Sequence, residues 1–178
     1  MLGIGGKELS EENAAQTAKA LNIIQPDFIR VHATGIKLES KLGEFVRDGS
    51  FTLQSEEEIV IEQKLFLQQL HEMDSYYVNE HIVNLLLEVR GNLRTEKQEM
   101  LSTIDRFLTL PPDERLLFTV GRRLNIFFRL DDLKKPKLHQ KAGESLQQIL
   151  SKNPHVDFPR CAITSGSHKF RAENISWA

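Results

Sequence analysis

What most constrains this chain is the spacing at its start. Met1 to Ile4 is apolar and runs straight into Gly5-Gly6. Ser10 then opens a helical pattern of Ala14, Ala18 and Leu21, and Pro26 closes it before Phe28-Ile29-Arg30-Val31-His32-Ala33. An apolar run ended by paired glycines reads as a buried strand that turns sharply. Ser10, with Glu11 and Glu12 behind it, predicts a helix N-cap and an acidic first turn that complements the helix dipole. The short, partly β-branched run over residues 28–33 predicts a second strand. Strand, helix and strand at this spacing make a βαβ unit, whose strands are parallel and whose crossover is right-handed. Two parallel strands are not stable alone, because both faces and both edges need cover. That cover comes either from helices downstream or from strands outside this sequence.

Downstream, Leu38, Leu42, Phe45 and Val46 recur at helical spacing up to Asp48-Gly49-Ser50. Ser55-Glu56-Glu57-Glu58 forms a capping box ahead of a long helix built on Ile59, Ile61, Leu65, Phe66, Leu67 and Leu70. Ser75 to Asn79 reads as a short strand. Ile82 to Val89 is almost continuously apolar and fits either a strand or a buried helix, with Gly91-Asn92 as its stop. Thr95-Glu96-Lys97-Gln98 predicts another capped helix, and Pro112 opens a further one that reaches Asn125. Leu130 to Leu133 reads as a turn, and a last helix runs from Gln140 to Ser151, before Asn153-Pro154. The tail from Pro159 to Ala178 is expected to be partly ordered. A boundary between an α/β first part and a helical second part falls near Asn79 to Gly91.

Charge and cysteine content narrow the partners. With 23 basic and 25 acidic residues and a net charge of -2, no general attraction to nucleic acid or to an anionic membrane is expected. A single cysteine, Cys161, rules out an intrachain disulfide framework and fits a reducing, cytoplasmic setting. No window approaches the apolar length of a membrane helix.

The run Leu2-Gly3-Ile4-Gly5-Gly6-Lys7-Glu8-Leu9-Ser10-Glu11-Glu12, with Asn22 to Pro26 and Asp27-Phe28-Ile29-Arg30-Val31, resembles strand five, helix five and strand six of the radical S-adenosylmethionine (radical SAM) partial barrel. Gly49-Ser50-Phe51, the Ser55-Glu56-Glu57-Glu58 helix start, and Gly91-Asn92-Leu93 with Lys97 and Met100 also resemble the C-terminal part of such proteins. The likeness covers roughly the first two thirds of the chain. It implies a partial (β/α) barrel fragment with one βαβ unit over residues 1–88, an α-helical extension over 89–158 and a tail over 159–178. The fold class is then α/β and mostly helical.

Enzymes of that family cleave S-adenosylmethionine reductively with a 4Fe-4S cluster and abstract hydrogen from substrate with the resulting 5′-deoxyadenosyl radical. Three cysteines of a CxxxCxxC loop hold the cluster. The resemblance implies that the chain is missing that loop and the four strands before the fifth. The family's fifth strand carries a GxIxGxxE-like motif. Gly5 and Glu8 fall on its second glycine and its acid, while Met1 and Gly3 stand where the first glycine and the isoleucine would be. The sixth strand's backbone contacts the adenine, which implies Val31, His32 and Ala33 near the nucleoside. The implied cofactor-binding residues are therefore Gly5, Gly6, Glu8, Val31, His32 and Ala33.

The bare residues allow a simpler alternative. Glycines at a strand's carboxyl end let a ligand approach backbone closely, but Gly5-Gly6 reads equally as a tight strand-to-helix turn. His71, Glu72, Glu80 and His81 lack the spacing of a metal motif and read as surface residues. Tyr76-Tyr77 reads as core. Arg122-Arg123, Phe127-Phe128-Arg129 and Lys134-Lys135-Pro136-Lys137 have the composition of a phosphate or RNA contact, yet Glu114, Asp131 and Asp132 dilute them, so a solvated helical surface is expected. The leading expectation is the C-terminal portion of a radical SAM enzyme, not catalytic alone. The alternative is a small helical interaction or accessory protein, acting as a homodimer or with a partner subunit that supplies what this chain lacks.

Overall fold

The computed structural model describes residues 1–37 and 39–152. The expectations for Leu38, for Asn153-Pro154, for Cys161 and for the 159–178 tail lie outside the described residues. The chain is mixed α/β and mostly helical, in the order α1 (Ser10–Ile24), β1 (Phe28–Arg30), α2 (Lys41–Arg47), α3 (Glu56–Gln69), β2 (Tyr76–Val78), β3 (Gly91–Asn92), α4 (Lys97–Leu108), α5 (Pro112–Arg123), a 3-10 turn (Leu130–Lys134) and α6 (Pro136–Lys152). The sheet order is β1-β2-β3, with β1 parallel to β2 and β3 antiparallel to β2.

The first expected strand shrinks to a single bridge. Only Leu2 pairs, in parallel with Ala33, and residues 3–9 coil into turns. Gly3 and Gly6 lie at φ values of 79° and 63°, left-handed backbone that ends a strand at once. Because those turns already lead into α1, Ser10 is the first helical residue rather than its cap, and its hydroxyl donates to the Lys7 carbonyl.

Elsewhere strong local signals match the fold. Ser55 and Glu58 close the expected capping box. Thr95 caps nothing, however, because Asn92 Oδ1 accepts from the Arg94 and Thr95 amides instead. The last helix starts at Pro136, earlier than Gln140, since a proline fits the first helical turn. Leu130 to Leu133 tightens into the 3-10 turn, with Asp132 accepting from the Phe128 and Arg129 amides. Gly91-Asn92 becomes a strand, not a stop.

The main buried apolar cluster runs from Leu2, Ala14 and Ile29 through Leu67, Tyr77 and Leu86 to Ile104, Phe118 and Ala142, with a smaller one joining Val120 and Ile149. It takes in residues on both sides of the 79–91 segment. The sheet turns Ile29 and Tyr77 into this core and leaves Phe28, Arg30 and Tyr76 exposed on its other face. No helix among the described residues is long and apolar enough to cross a membrane.

Candidate functional site

The carboxyl ends of the parallel segments lie side by side. Leu2 donates its amide to the His32 carbonyl at 2.9 Å and accepts from the Thr34 amide at 2.8 Å, and Val31 donates to the Val78 carbonyl at 3.0 Å. This is the rim where open α/β sheets and barrels take ligands, because loops there are free to vary. Two imidazoles meet on it. His32, just beyond β1, stacks on His81, just beyond β2, with ring centroids 4.1 Å apart and planes 29° off parallel. Both are half-buried. Burial, with His81, Arg30 and the amino terminus adding positive charge, holds the His32 imidazole below its ordinary range. At neutral pH His32 is therefore an uncharged ring, and positive charge on its neighbours disfavours its protonation.

Asn84 organises the backbone beneath this pair. Its buried carboxamide accepts from the Ala33 amide at 2.7 Å and donates to the Val31 carbonyl at 2.9 Å and to Asn79 Oδ1 at 2.6 Å. Asn79, also buried, donates to the Leu86 carbonyl at 2.6 Å. The Asn84 side chain thus takes the place of a peptide group in the next strand, bonding one carbonyl and one amide two residues apart on β1's continuation. It also occupies backbone atoms of Val31 and Ala33 that the resemblance implies for adenine. Ile82 to Val89 is accordingly neither strand nor helix. It is an irregular loop, exposed at Ile82 and buried from Val83 to Leu86 and at Val89, whose polar backbone finds side-chain partners.

Gly5, Gly6 and Glu8 share one turn at the other side of Leu2. A Cβ on Gly6 would lie 2.8 Å from the Thr52 carbonyl oxygen, and one on Gly5 would lie 2.9 Å from that of Leu9. Both glycines are thus closed on the chain's own backbone. Glu8 is exposed, and a hydrogen bond from the Thr52 hydroxyl holds its carboxyl below the usual range. The turn is tethered by Glu62, a fully buried carboxylate of α3 that accepts from the Gly3 amide at 3.1 Å and from Asn13 Nδ2 at 2.6 Å.

The remaining candidates disperse. The His71 amide donates to Asn22, Glu80 pairs with Arg90, and no group of three His, Cys, Asp or Glu side chains among the described residues is placed to hold a metal ion. Of the pair expected as core, Tyr77 is fully buried and its hydroxyl accepts from Gln63 at 3.0 Å, but Tyr76 corrects the expectation, since strand alternation leaves it exposed on the other face. Arg122 and Arg123 correct the expected solvated surface, since they are 2% and 6% exposed. Lys134 and Lys135 pair with Asp131 and Asp132. Asn84 and Glu62 had one signal in the sequence, a polar residue interrupting an apolar run or stripe, which by itself does not name a partner. No protein-family model, curated protein or solved structure matches the chain.

Proposed function

We propose that this chain is the C-terminal portion of a radical SAM enzyme, supplying part of the S-adenosylmethionine-binding wall and a helical extension, and inactive alone. The order of the parallel segments supports the reading most. Leu2, then β1, then β2 are neighbours in sequence order, with α1 between the first two and α2 and α3 between the last two. A (β/α) barrel adds strands in sequence order, whereas a doubly wound sheet reverses at its centre. The uncovered face with Phe28, Arg30 and Tyr76 fits the inward side of a barrel whose other strands lie elsewhere.

The residues present do not fit the 4Fe-4S cluster. A CxxxCxxC loop needs three thiolates and this sequence has one cysteine, too few to hold the cluster. This chain's own contribution is to hold a surface. Asn84 fixes Val31 and Ala33, and the neutral His32 ring offers a flat face at the rim. The test is to read the coding DNA directly before the Met1 codon. An in-frame extension carrying CxxxCxxC is the expected result, and an in-frame stop next to Met1 overturns the reading.

A second reading, a small interaction protein acting as a homodimer or with a partner subunit, is favoured by the exposed Ile23, Ile24, Phe28 and Tyr76 near the amino ends of the strands. Sedimentation velocity tests it, with a defined dimer expected and a monomer at all concentrations counting against the homodimer.

A further inference from the structure

Two consecutive arginines of α5 hold three consecutive carbonyls of the loop that carries His81. Arg122 donates from Nε to the Leu85 carbonyl at 2.9 Å, from Nη2 to that of Asn84 at 3.1 Å and from Nη1 to that of Phe127 at 3.2 Å. Arg123 donates from Nη2 to the Val83 carbonyl at 3.1 Å and from Nε to Glu56 of α3 at 2.9 Å, with a second contact from Nη2 to the same carboxylate. Burying a guanidinium is unfavourable unless its donors are used, and burial together with adjacent Arg123 brings Arg122 down to about 10. What this arrangement secures is a fixed 83–85 backbone. Asn84 passes that position on, because its side chain bonds Val31 and Ala33 while its amide donates to the His81 carbonyl at 2.8 Å.

We propose that Arg122 and Arg123 are positioning residues of the strand-end site, which set the His81 ring on the His32 ring by holding residues 83–85. The helical extension thereby governs a site that it does not line. The inference concerns this chain's own geometry and stands apart from either reading of its function.

The test is NMR on the full chain, following the His32 imidazole titration and the exchange of the Ala33 amide. The charged groups felt by His32 are His81, Arg30 and the amino terminus. His81→Asn removes the first and calibrates how far His32 then titrates upward. Arg122→Gln is expected to move His32 in the same direction and to add nothing in the His81→Asn background. It is also expected to speed Ala33 exchange by about tenfold, the scale of one buried hydrogen bond. The Tyr76 amide at the other end of the sheet, which donates to Asp27 at 2.8 Å, should keep its protection. Unchanged His32 titration, or equal loss of protection at Ala33 and Tyr76, overturns the proposal. If Arg122→Gln fails to fold, Arg122→Lys keeps the charge but cannot span three carbonyls. An intermediate shift of His32 supports the proposal and wild-type titration overturns it.

Discussion

The two irregular segments that flank the sheet solve one problem in opposite ways. Residues 3–9 and 79–90 both carry backbone alongside the sheet without a ladder to satisfy it, the first largely exposed and the second largely buried. The first uses glycine. Gly3 and Gly6 take left-handed conformations that let amides and carbonyls a few residues apart find each other, as in Gly6 to Gly3 and Leu9 to Gly5 at 3.3 Å each. From a distance Glu62 takes the Gly3 amide and the Thr52 carbonyl takes that of Lys7 at 3.0 Å, while the Lys7 side chain pairs with Glu58. The second has no glycine before Gly91 and cannot fold back on itself so freely. Its own Asn79 takes the Leu86 carbonyl, but it borrows Arg122 and Arg123 of α5 for the Val83, Asn84 and Leu85 carbonyls, while its Asn84 and Glu88 reach out in turn to Val31 and to the Leu130 amide, the latter at 2.7 Å. A loop that satisfies itself locally depends on its own sequence, and one that borrows partners depends on the rest of the fold.

Breaking the borrowed loop should therefore have the larger effect. Arg123→Met leaves the Glu56 carboxylate, 8% exposed, without its cation and the Val83 carbonyl without its donor. Loss of one partner of a buried pair costs about 3–5 kcal/mol, read as a shift of the urea midpoint. Adding Glu56→Leu should recover most of that loss, because an uncompensated buried charge, not the missing attraction, dominates it. Asn84→Ala comes next. It strips partners from the Val31 carbonyl and the Ala33 amide, and about 2–3 kcal/mol is expected, with Ala33 exchange accelerated more than the global loss explains.

The self-satisfied loop should tolerate more. Glu62→Gln keeps the shape of the tether but replaces one acceptor oxygen with an NH₂ that faces either the Gly3 amide or Asn13 Nδ2, both donors. About 1–2 kcal/mol is expected in the same urea experiment, less than for either change in the other loop. A larger loss than for Asn84→Ala would show that Glu62, rather than the glycine turns, holds residues 1–9.

The same contrast explains what was legible in the sequence. Helices with local signatures, such as Ser55 with Glu58 or Pro112 at a first turn, follow from residues three or four apart. The glycine turn was visible because Gly5-Gly6 is a local signal, although its early onset erased the expected strand and the Ser10 cap. Leu130 to Leu133 kept its turn for the same reason. The 79–90 loop was opaque. Leu85, Leu86 and Val89 point into the core as a strand's or helix's residues would, while the loop's polar backbone is met by side chains 37 to 40 positions away. Arg122 and Arg123 read as solvated because arginines usually are, and only tertiary placement shows the carbonyls that bury them. The stacked His32 and His81 are likewise a product of β1 and β2 lying parallel, a pairing that joins residues far apart in sequence.

That stacking makes the smallest prediction, and its sign can be worked out. The folded chain holds His32 below its ordinary value, mainly through burial and then through His81 and Arg30, while the unfolded chain leaves it near about 6.5. Between the folded and unfolded values the unfolded state binds more protons, so stability rises with pH in that window. The contribution of His32 is complete above about pH 6.5 and fades as pH falls toward the folded value. Urea midpoints at pH 7.5 and 5.5 should differ more for the wild type than for His32→Asn, which removes the titrating ring. His81→Asn should fall between them, because it relieves the second cause of the shift and leaves the first. If His81→Asn matches the wild type, the two rings do not sense each other, and the carboxyl ends of β1 and β2 are joined through the Val31–Val78 backbone bond and the Asn84 carboxamide without the imidazoles.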